Sequence, residues 1–436
     1  MVVALTSPAS QWTAFVTSAP GKVILFGEHA VVYGKTAVAG SLDMRAYALS
    51  TSRTDGLVRL LLPDISVDVT LSRSDFPSRA SVEQLTHPAD VAGLLAPHVL
   101  APYEGGGPGR TALLTFAYLC ASLVDEAAWG EGFSVCVRSL VPVGSGLGSS
   151  AAFHVALATA LLRISGQLPA IDALGRKLVD AWAFRGEQVA HGTPSGIDNA
   201  VATHGGFLRY TKGAAPQPLG TTAGSSAGLR MLVCDTRVPK STKALVAGVR
   251  ELREEHPEAI DAVMQAIDSI AKRAADMVTN GDAVHMAIER HLAGAVKLNH
   301  ALLCALGVGH PVLDLVCRVA AERNMSAKLT GAGGGGCALV LLPGDADEHV
   351  VAGMTEELVD AGFACYATVV GGPGVALDDF VDGVPVDSWV ETAHASSVSS
   401  KHLVFNDGES DLVERFAVLS DEALAQLAPR LATTDA

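Results

Sequence analysis

Apolar and polar positions change rhythm along this chain, and each rhythm predicts a different element. Phe133, Val135 and Val137 alternate with small or polar residues, the period-two pattern of a half-buried strand. Short apolar runs at residues 15–18 and 23–26, and longer β-rich runs at 36–51 and 57–62, predict further strands in the first half. Residues 110–126 and 150–164 read as helices. The second is apolar almost all round, which predicts a helix inside the core. After a strand candidate at 229–234, helical patterns dominate at Thr242–Glu255, Pro257–Thr279, 282–306 and 311–323. Two strand candidates then flank the glycine cluster of AKLTGAGGGGCALVLL, and residues 363–370 add another.

Three stretches interrupt these rhythms. Residues 72–109 are rich in Pro, Ser and Gly and close with EGGGPG, which predicts an irregular insertion or mobile lid, with a plain surface loop as the alternative. Residues 213–228, GAAPQPLGTTAGSSAG, mark the best domain boundary. After Gly374 the chain turns Asp- and Ser-rich, with one amphipathic segment at 411–431. The expected organisation is an N-terminal domain over residues 12–226, a C-terminal domain over 227–375 and an extension over 376–436 that carries no recognisable chemistry. The second domain reads as α+β, with helices on one face of an antiparallel sheet.

A length of 436 residues, 49% of them hydrophobic, fits two or three globular domains. The net charge of -15 excludes broad nucleic-acid binding and leaves room for an anionic substrate in a local basic pocket. Seven scattered cysteines without a CxxC pair predict buried free thiols in a reducing compartment. The start MVVALTSPASQW lacks the features of a secretory signal, and no run approaches the ~20 apolar residues of a membrane span. A soluble cytoplasmic protein is expected. The fourteen histidines form no HExxH and no close Cys/His set, which argues against zinc, and no GxSxG elbow supports a covalent nucleophile.

Four clusters hold candidate chemistry. Residues 141–152, VPVGSGLGSSAA, place Gly144, Ser145, Gly146, Leu147, Gly148, Ser149 and Ser150 directly before a strong helix former. Such a loop brings backbone close to a ligand and aims unpaired N–H groups at an anion. It has no Walker lysine and does not fit GxGxxG, so it predicts phosphate binding by backbone and hydroxyl groups, with charge supplied from elsewhere. The alternative is a tight turn with a capping serine. Residues 20–29, PGKVILFGEH, gather Lys22, Glu28 and His29 around a strand, as phosphate and substrate ligands or as solvated flanking charges. Residues 186–199, GEQVAHGTPSGIDN, carry Glu187 and Asp198. One carboxylate could complete a Mg²⁺ shell while the other meets an attacking hydroxyl; alternatively they are a helix-end charge and an N-cap. Residues 330–337, TGAGGGGC, hold more glycine than a hairpin requires, which predicts close passage of backbone past a ligand, or else a flexible turn.

In this order the motifs PGKVILFGEHAVVYGK, PVGSGLGSSAA and KLTGAGGGGCALVLL resemble those of the GHMP kinase superfamily, over about three quarters of the chain. GEHAVVYGK, joined by GEQVAHGTPSGIDN and TRVPKSTKALVAGVR, is similar to the mevalonate kinase branch of the eukaryotic type. The resemblance implies a two-domain α+β fold, with an N-terminal domain like ribosomal protein S5 domain 2, a ferredoxin-like C-terminal domain and the active site between them. It implies transfer of the ATP γ-phosphoryl to the 5-hydroxyl of mevalonate with Mg²⁺, a step toward isoprenoid and sterol precursors. Asp198 would be the catalytic carboxylate beside Lys22, Ser150 and Glu187 would hold Mg²⁺, and residues 144–149 would wrap the ATP phosphates. Glu28, His29 and Thr242 would line the mevalonate pocket, and residues 331–336 would support the active-site loop of the second domain. Members are commonly homodimers, and some are inhibited by prenyl diphosphates. The alternatives are another kinase of the superfamily, such as one acting on phosphomevalonate, or a catalytically silent member that only binds ligand.

Overall fold

A computed structural model describes residues 14–219, 228–279, 285–379 and 409–425. Where the apolar pattern predicts two strands, the chain forms one, β1 (Ala14–Phe26). Its register against the neighbouring strand shifts between Pro20 and Lys22, where one residue of β1 lies opposite three of its partner. β2 (Thr36–Ser52) runs antiparallel beside it, and β3 (Val58–Leu62), β4 (Val67–Leu71), β5 (Phe133–Ser139), β6 (Phe207–Thr211) and β7 (Gln217–Leu219) extend that half. The second half supplies β8 (Leu229–Asp235), β9 (Ser326–Leu329), β10 (Cys337–Leu341) and β11 (Ala364–Val370). β12 (Ala376–Asp379) returns to pair with the free edge of β1. The main strand order is β4-β3-β5-β2-β11-β8-β10-β9. Every pairing is antiparallel except β3 with β5. A single register pair, Val370 opposite Leu42, joins the two halves of the sheet. Mixed helix and sheet in two such halves is the expected α+β architecture.

Helices cover the sheet where the pattern is richest in apolar residues. Helix Ser149–Ile164 is buried nearly all round, and with helix Pro108–Leu123 it packs Leu157, Leu161, Phe116 and Leu119 against Phe133 and Val135. A second core, with Met264, Ile267, Leu303 and Val316, lies between β8, β9, β10 and helices Pro257–Thr279, His285–Ala305 and Pro311–Ala321. A third apolar seam draws on both halves at once, through Phe26, Leu42, Leu147, Met231, Leu339 and Val370.

Several elements differ from the sequence reading. The helix expected over 110–126 starts at Pro108, which suits a first-turn position, and stops at Leu123. Asp125 then accepts the Ala128 N–H and caps a new short helix, Glu126–Glu131. Residues 72–109 are neither a loose lid nor a bare loop. Short helical turns there bury Val82, Val91 and Val99, and Phe76 meets Phe116 edge-on and Trp129 at 4.8 Å between ring centroids. Helices Ala173–His191 and Ile197–His204, whose bounds the sequence reading did not set, carry Glu187 and Asp198. The described part of the amphipathic stretch at 411–431 forms helices Glu409–Ala417 and Asp421–Ala425, which dock on the N-terminal half through Val413, Phe416 and Leu424. Half of the proposed boundary at 213–228, the chain start and the Ser-rich run at 396–401 lie outside the described residues. All seven cysteines are free, and no helix among the described residues is long and apolar enough to cross a membrane.

Candidate active site

Between the two halves opens a cleft of about 480 Å³, and most of the residues singled out in the sequence face it. The glycine loop forms its floor. Gly148 is left-handed at φ +81° and is the N-cap of helix Ser149–Ile164. A Cβ there would sit 2.8 Å from Lys22 Cγ, so only glycine lets β1 pass this close. The Lys22 N–H donates to the Leu147 carbonyl at 2.7 Å and ties the strand to the loop. Gly144, Gly146, Ser149 and Ser150 border the cleft. Ser145 and Leu147 do not. The Ser145 hydroxyl donates to the Pro142 carbonyl, and Leu147 is buried in the seam between halves, so both shape the loop rather than offer side chains to a ligand.

Lys22 Nζ lies 3.3 Å from Asp198 Oδ2, across the first turn of helix Ile197–His204. Asp198 is not that helix's N-cap, a position taken by Gly196, so its carboxylate is left for the cleft. Behind the loop, the Ser150 hydroxyl donates to Glu187 Oε1 at 2.6 Å, and His191 Nε2 is 2.9 Å from the same hydroxyl. Glu187 is buried. Burial alone would raise its pKa, but the hydrogen bond and charge of His154, with the Ser150 hydroxyl, outweigh it and hold the carboxyl below the usual range. His154 Nδ1 is 2.6 Å from Glu187 Oε1, and its other nitrogen meets Thr115 Oγ1 at 3.3 Å. The sequence reading passed over His154. Its signal was a single histidine in an otherwise apolar helix, four residues after Ser150.

Glu28 lines the cleft as expected, but its side chain is engaged within the protein. It borders the cleft, yet its side chain is wholly buried, bound to Lys328 Nζ and to Asn299 Nδ2 at 3.1 Å. Its carboxylate is therefore held by Lys328 and Asn299 inside the protein. His29 stands beside it in a left-handed conformation, φ 58°, with Nε2 2.9 Å from the Ala332 carbonyl. Burial lowers its pKa against the opposing pull of that carbonyl and of Glu28, which favours a neutral ring donating to Ala332. Thr242 is exposed at the start of helix Thr242–Glu255, on the opposite wall.

The glycine cluster at 331–336 answers a different demand from the one expected. A Cβ on Gly336 would lie 2.1 Å from Lys240 Nζ, and neighbouring glycines press against Val308, Leu245 and Val238. Close passage is thus mainly past the protein's own residues; Gly331 and Ala332 alone of the run reach the cleft. This packing carries Lys240, which the sequence reading had not assigned, into the cleft toward Gly146 and Lys22. Its pKa is lowered by burial first and by Lys22 as well, with Cys337 and Asp235 acting against them.

A second cavity of about 330 Å³ adjoins the loop on its other side and shares Gly144, Ser149 and Ser150 with the cleft. Its remaining wall is largely apolar, with Leu62, Ile65, Val137, Val143 and Phe153. A flat apolar ligand part and an anionic part could lie on either side of the glycine loop, each matched to its surroundings. Elsewhere, helix His285–Ala305 brings together His300 and Cys304, a Cys/His pair at i, i+4, with Asp314 nearby. The Leu329 N–H donates to His300 Nδ1, which puts the ring proton on Nε2, the nitrogen facing Cys304 and Asp314. A metal would need that nitrogen bare.

Residues 115–206 match the family model for the GHMP kinases N terminal domain. The chain is 36% identical over 401 residues to the mevalonate kinase of Homo sapiens, covering 87% of this chain and 98% of that one. It is 37% identical over 388 residues to that of Candida albicans, covering 83% and 89%. Among solved structures, the Methanococcus jannaschii mevalonate kinase superposes with TM-score 0.64 at 21% identity, over 83% of this chain and all of that one. The L. major mevalonate kinase in complex with R-mevalonate does so with TM-score 0.64 at 22% identity, over 85% and 99%. Both share the fold.

The contact between Gly148 and Lys22 is testable. Gly148→Ala is expected to cost about 1–2 kcal/mol for the left-handed residue, plus the clash, in denaturant unfolding. A variant as stable as the parent would mean that the loop accommodates a Cβ.

Proposed function

The chain belongs to the mevalonate kinases of the GHMP superfamily, and we propose that its cleft carries ATP-dependent phosphorylation of mevalonate at the 5-hydroxyl. The observation that carries the site reading is the Lys22–Asp198 pair, placed at the mouth of a phosphate-shaped loop. In this reading the nucleotide base occupies the apolar cavity, the phosphates cross the loop from Gly144 to Ser150, and mevalonate lies against His29 and Thr242. Asp198 accepts the hydrogen bond of the attacking hydroxyl and takes its proton. Lys22 holds Asp198 in place and faces the oxygens of the transferring phosphoryl.

Phosphoryl transfer is mostly positioning and charge stabilisation, so the remaining residues are read in those terms. Lys240 adds a second cation from the opposite wall. The Ser150 hydroxyl and the buried Glu187 carboxylate form a pair of hard oxygen donors of the kind Mg²⁺ takes when phosphates complete its shell. Mg²⁺ held there would neutralise charge on the phosphate oxygens, while His154 keeps the Glu187 carboxylate oriented. Glu28 acts from behind, fixing the turn that carries His29. The family resemblance alone carries the rest of the reading, a cytoplasmic homodimer subject to prenyl diphosphate inhibition.

An ADP-release assay across mevalonate, phosphomevalonate, galactose and homoserine tests the substrate, with turnover expected on mevalonate; its absence there overturns the reading. Asp198→Asn is expected to lower turnover by about 10²–10⁴ while nucleotide binding stays nearly intact. Activity within tenfold of the parent removes Asp198 from the proposed role. A lysine whose pKa is lowered loses its charge earlier as pH rises, so the Lys240 contribution to ATP use is present at low pH and fades on the alkaline side. Lys240→Arg is expected to move the alkaline fall of kcat/KM for ATP to higher pH. An unmoved limb would assign that fall to another group.

A further inference from the structure

The C-terminal helices, to which the sequence reading gave no role, are connected to the apolar cavity beside the glycine loop by one side chain. Arg138, at the end of β5, is nearly buried and spreads its guanidinium in two directions. Inward, Nε donates to Asp64 Oδ1 at 2.8 Å. Outward, Nη1 donates to the carbonyls of Ala417 and Leu419, both at 2.8 Å, and Nη2 lies 3.4 Å from Asp421 Oδ1. Ala417 ends helix Glu409–Ala417, so the cation sits where the helix presents unpaired carbonyls and the negative end of its dipole.

Asp64 belongs to the wall of that cavity. It lies in the turn Pro63–Ile65 between β3 and β4, and its second oxygen accepts the Ser139 N–H at 2.7 Å. Leu62, Asp64, Ile65, Val137 and Ser139 all line the cavity. The Arg138–Asp64 link therefore closes one wall on itself, from β5 to the turn after β3. The same tail is held at a second point, where Arg59 of β3 pairs with Glu414 at 2.8 Å. Its apolar side, Val413, Phe416 and Leu424, covers Val16, Leu49, Leu61 and Cys136.

We propose that helices Glu409–Ala417 and Asp421–Ala425 form a strap that sets the shape of the nucleotide-base pocket through Arg138 and Asp64, and that Arg138 is a positioning residue for ATP. This rests on the reading of the apolar cavity as the base site. With the tail docked, four acceptors fix the guanidinium plane and so the place of Asp64. With the tail displaced, Arg138 loses its outward partners and can turn from Asp64 toward solvent. The substrate cleft lies on the other side of the glycine loop and does not share this link.

The test uses the full-length chain. Arg138→Gln is expected to raise KM for ATP about three- to tenfold while KM for mevalonate and kcat change less than twofold. Phe416→Ser with Leu424→Ser, which loosens the tail without touching the cavity, is expected to raise KM for ATP by a similar factor. Adding Arg138→Gln to that pair should then raise it little further, because the two act through one link. An unchanged KM for ATP, equal rises for both substrates, or fully multiplicative effects would overturn the proposal. Because a loosened tail also affects stability, all variants are compared well below their unfolding temperatures, with nucleotide affinity measured directly by calorimetry. Val143→Trp, which fills the cavity, separates the two readings. If it leaves ATP affinity unchanged, the base site lies elsewhere and the strap proposal falls with it. If it weakens ATP while Arg138→Gln does not, only the strap is wrong.

Discussion

The cleft hangs on the approach of β1 to the glycine loop. The Lys22 N–H bonded to the Leu147 carbonyl brings two segments more than a hundred residues apart to within backbone contact. Lys22 is carried into the cleft by that bond, Gly148 exists to admit it, and helix Ser149–Ile164 starts where the loop ends. The direction of that helix then places Ser150 over Glu187 and His154 beneath them. In P-loop nucleotide sites the loop carries its own lysine. Here the charge arrives on a neighbouring strand, so strand and loop must be held in register for the site to exist at all.

Charge buried under this framework is organised in the same spirit. Lys328 and Glu28 form an ion pair with almost no exposure, and burial lowers the lysine pKa against the pull of that carboxylate. Taking two charges out of water gains little net stability, but removing either partner would strand the other. The pair is therefore best understood as a locator: it joins β9 of the second half to the turn carrying His29 in the first. Arg45 does a comparable job without a carboxylate, donating to Ser18 and to the carbonyls of Pro373 and Gly374. Both devices pin the later part of the chain onto the earlier part near the cleft.

Much of this was legible in the sequence because glycine-rich loops and long amphipathic helices leave local signatures. Thr242–Glu255 and Pro257–Thr279 have the bounds their periodicity predicts, and Lys22, Asp198, Ser149 and Ser150 meet around one cleft. What escaped depends on partners far away in sequence. Glu28 lines the cleft as expected, but its partner Lys328 lies three hundred positions on and leaves no local sign. The place of Lys240 is set by how the 331–336 run folds against it, which no local pattern shows. Residues 72–109 carry too little periodicity to reveal that Phe76 and Val91 reach the core. Helix Ala173–His191 was hidden by its mixed polar composition, since only one face of it is buried.

The pairing of β1 with β12 has a consequence for synthesis. Among the described residues, the outer edge of Phe15–Ser18 finds its partner when residues 376–379 appear, and the face bearing Val16, Tyr47 and Leu49 gains Val413, Phe416 and Leu424 as cover later still. At ribosomal speeds of about 5–20 residues per second, the first strand waits roughly twenty seconds to more than a minute for the last. During that interval a nascent chain presents an open strand edge and a bare apolar face, the surfaces most prone to pairing with another chain. Until residues 376–379 and 409–425 are made, that edge and that face lack the partners they have in the folded chain.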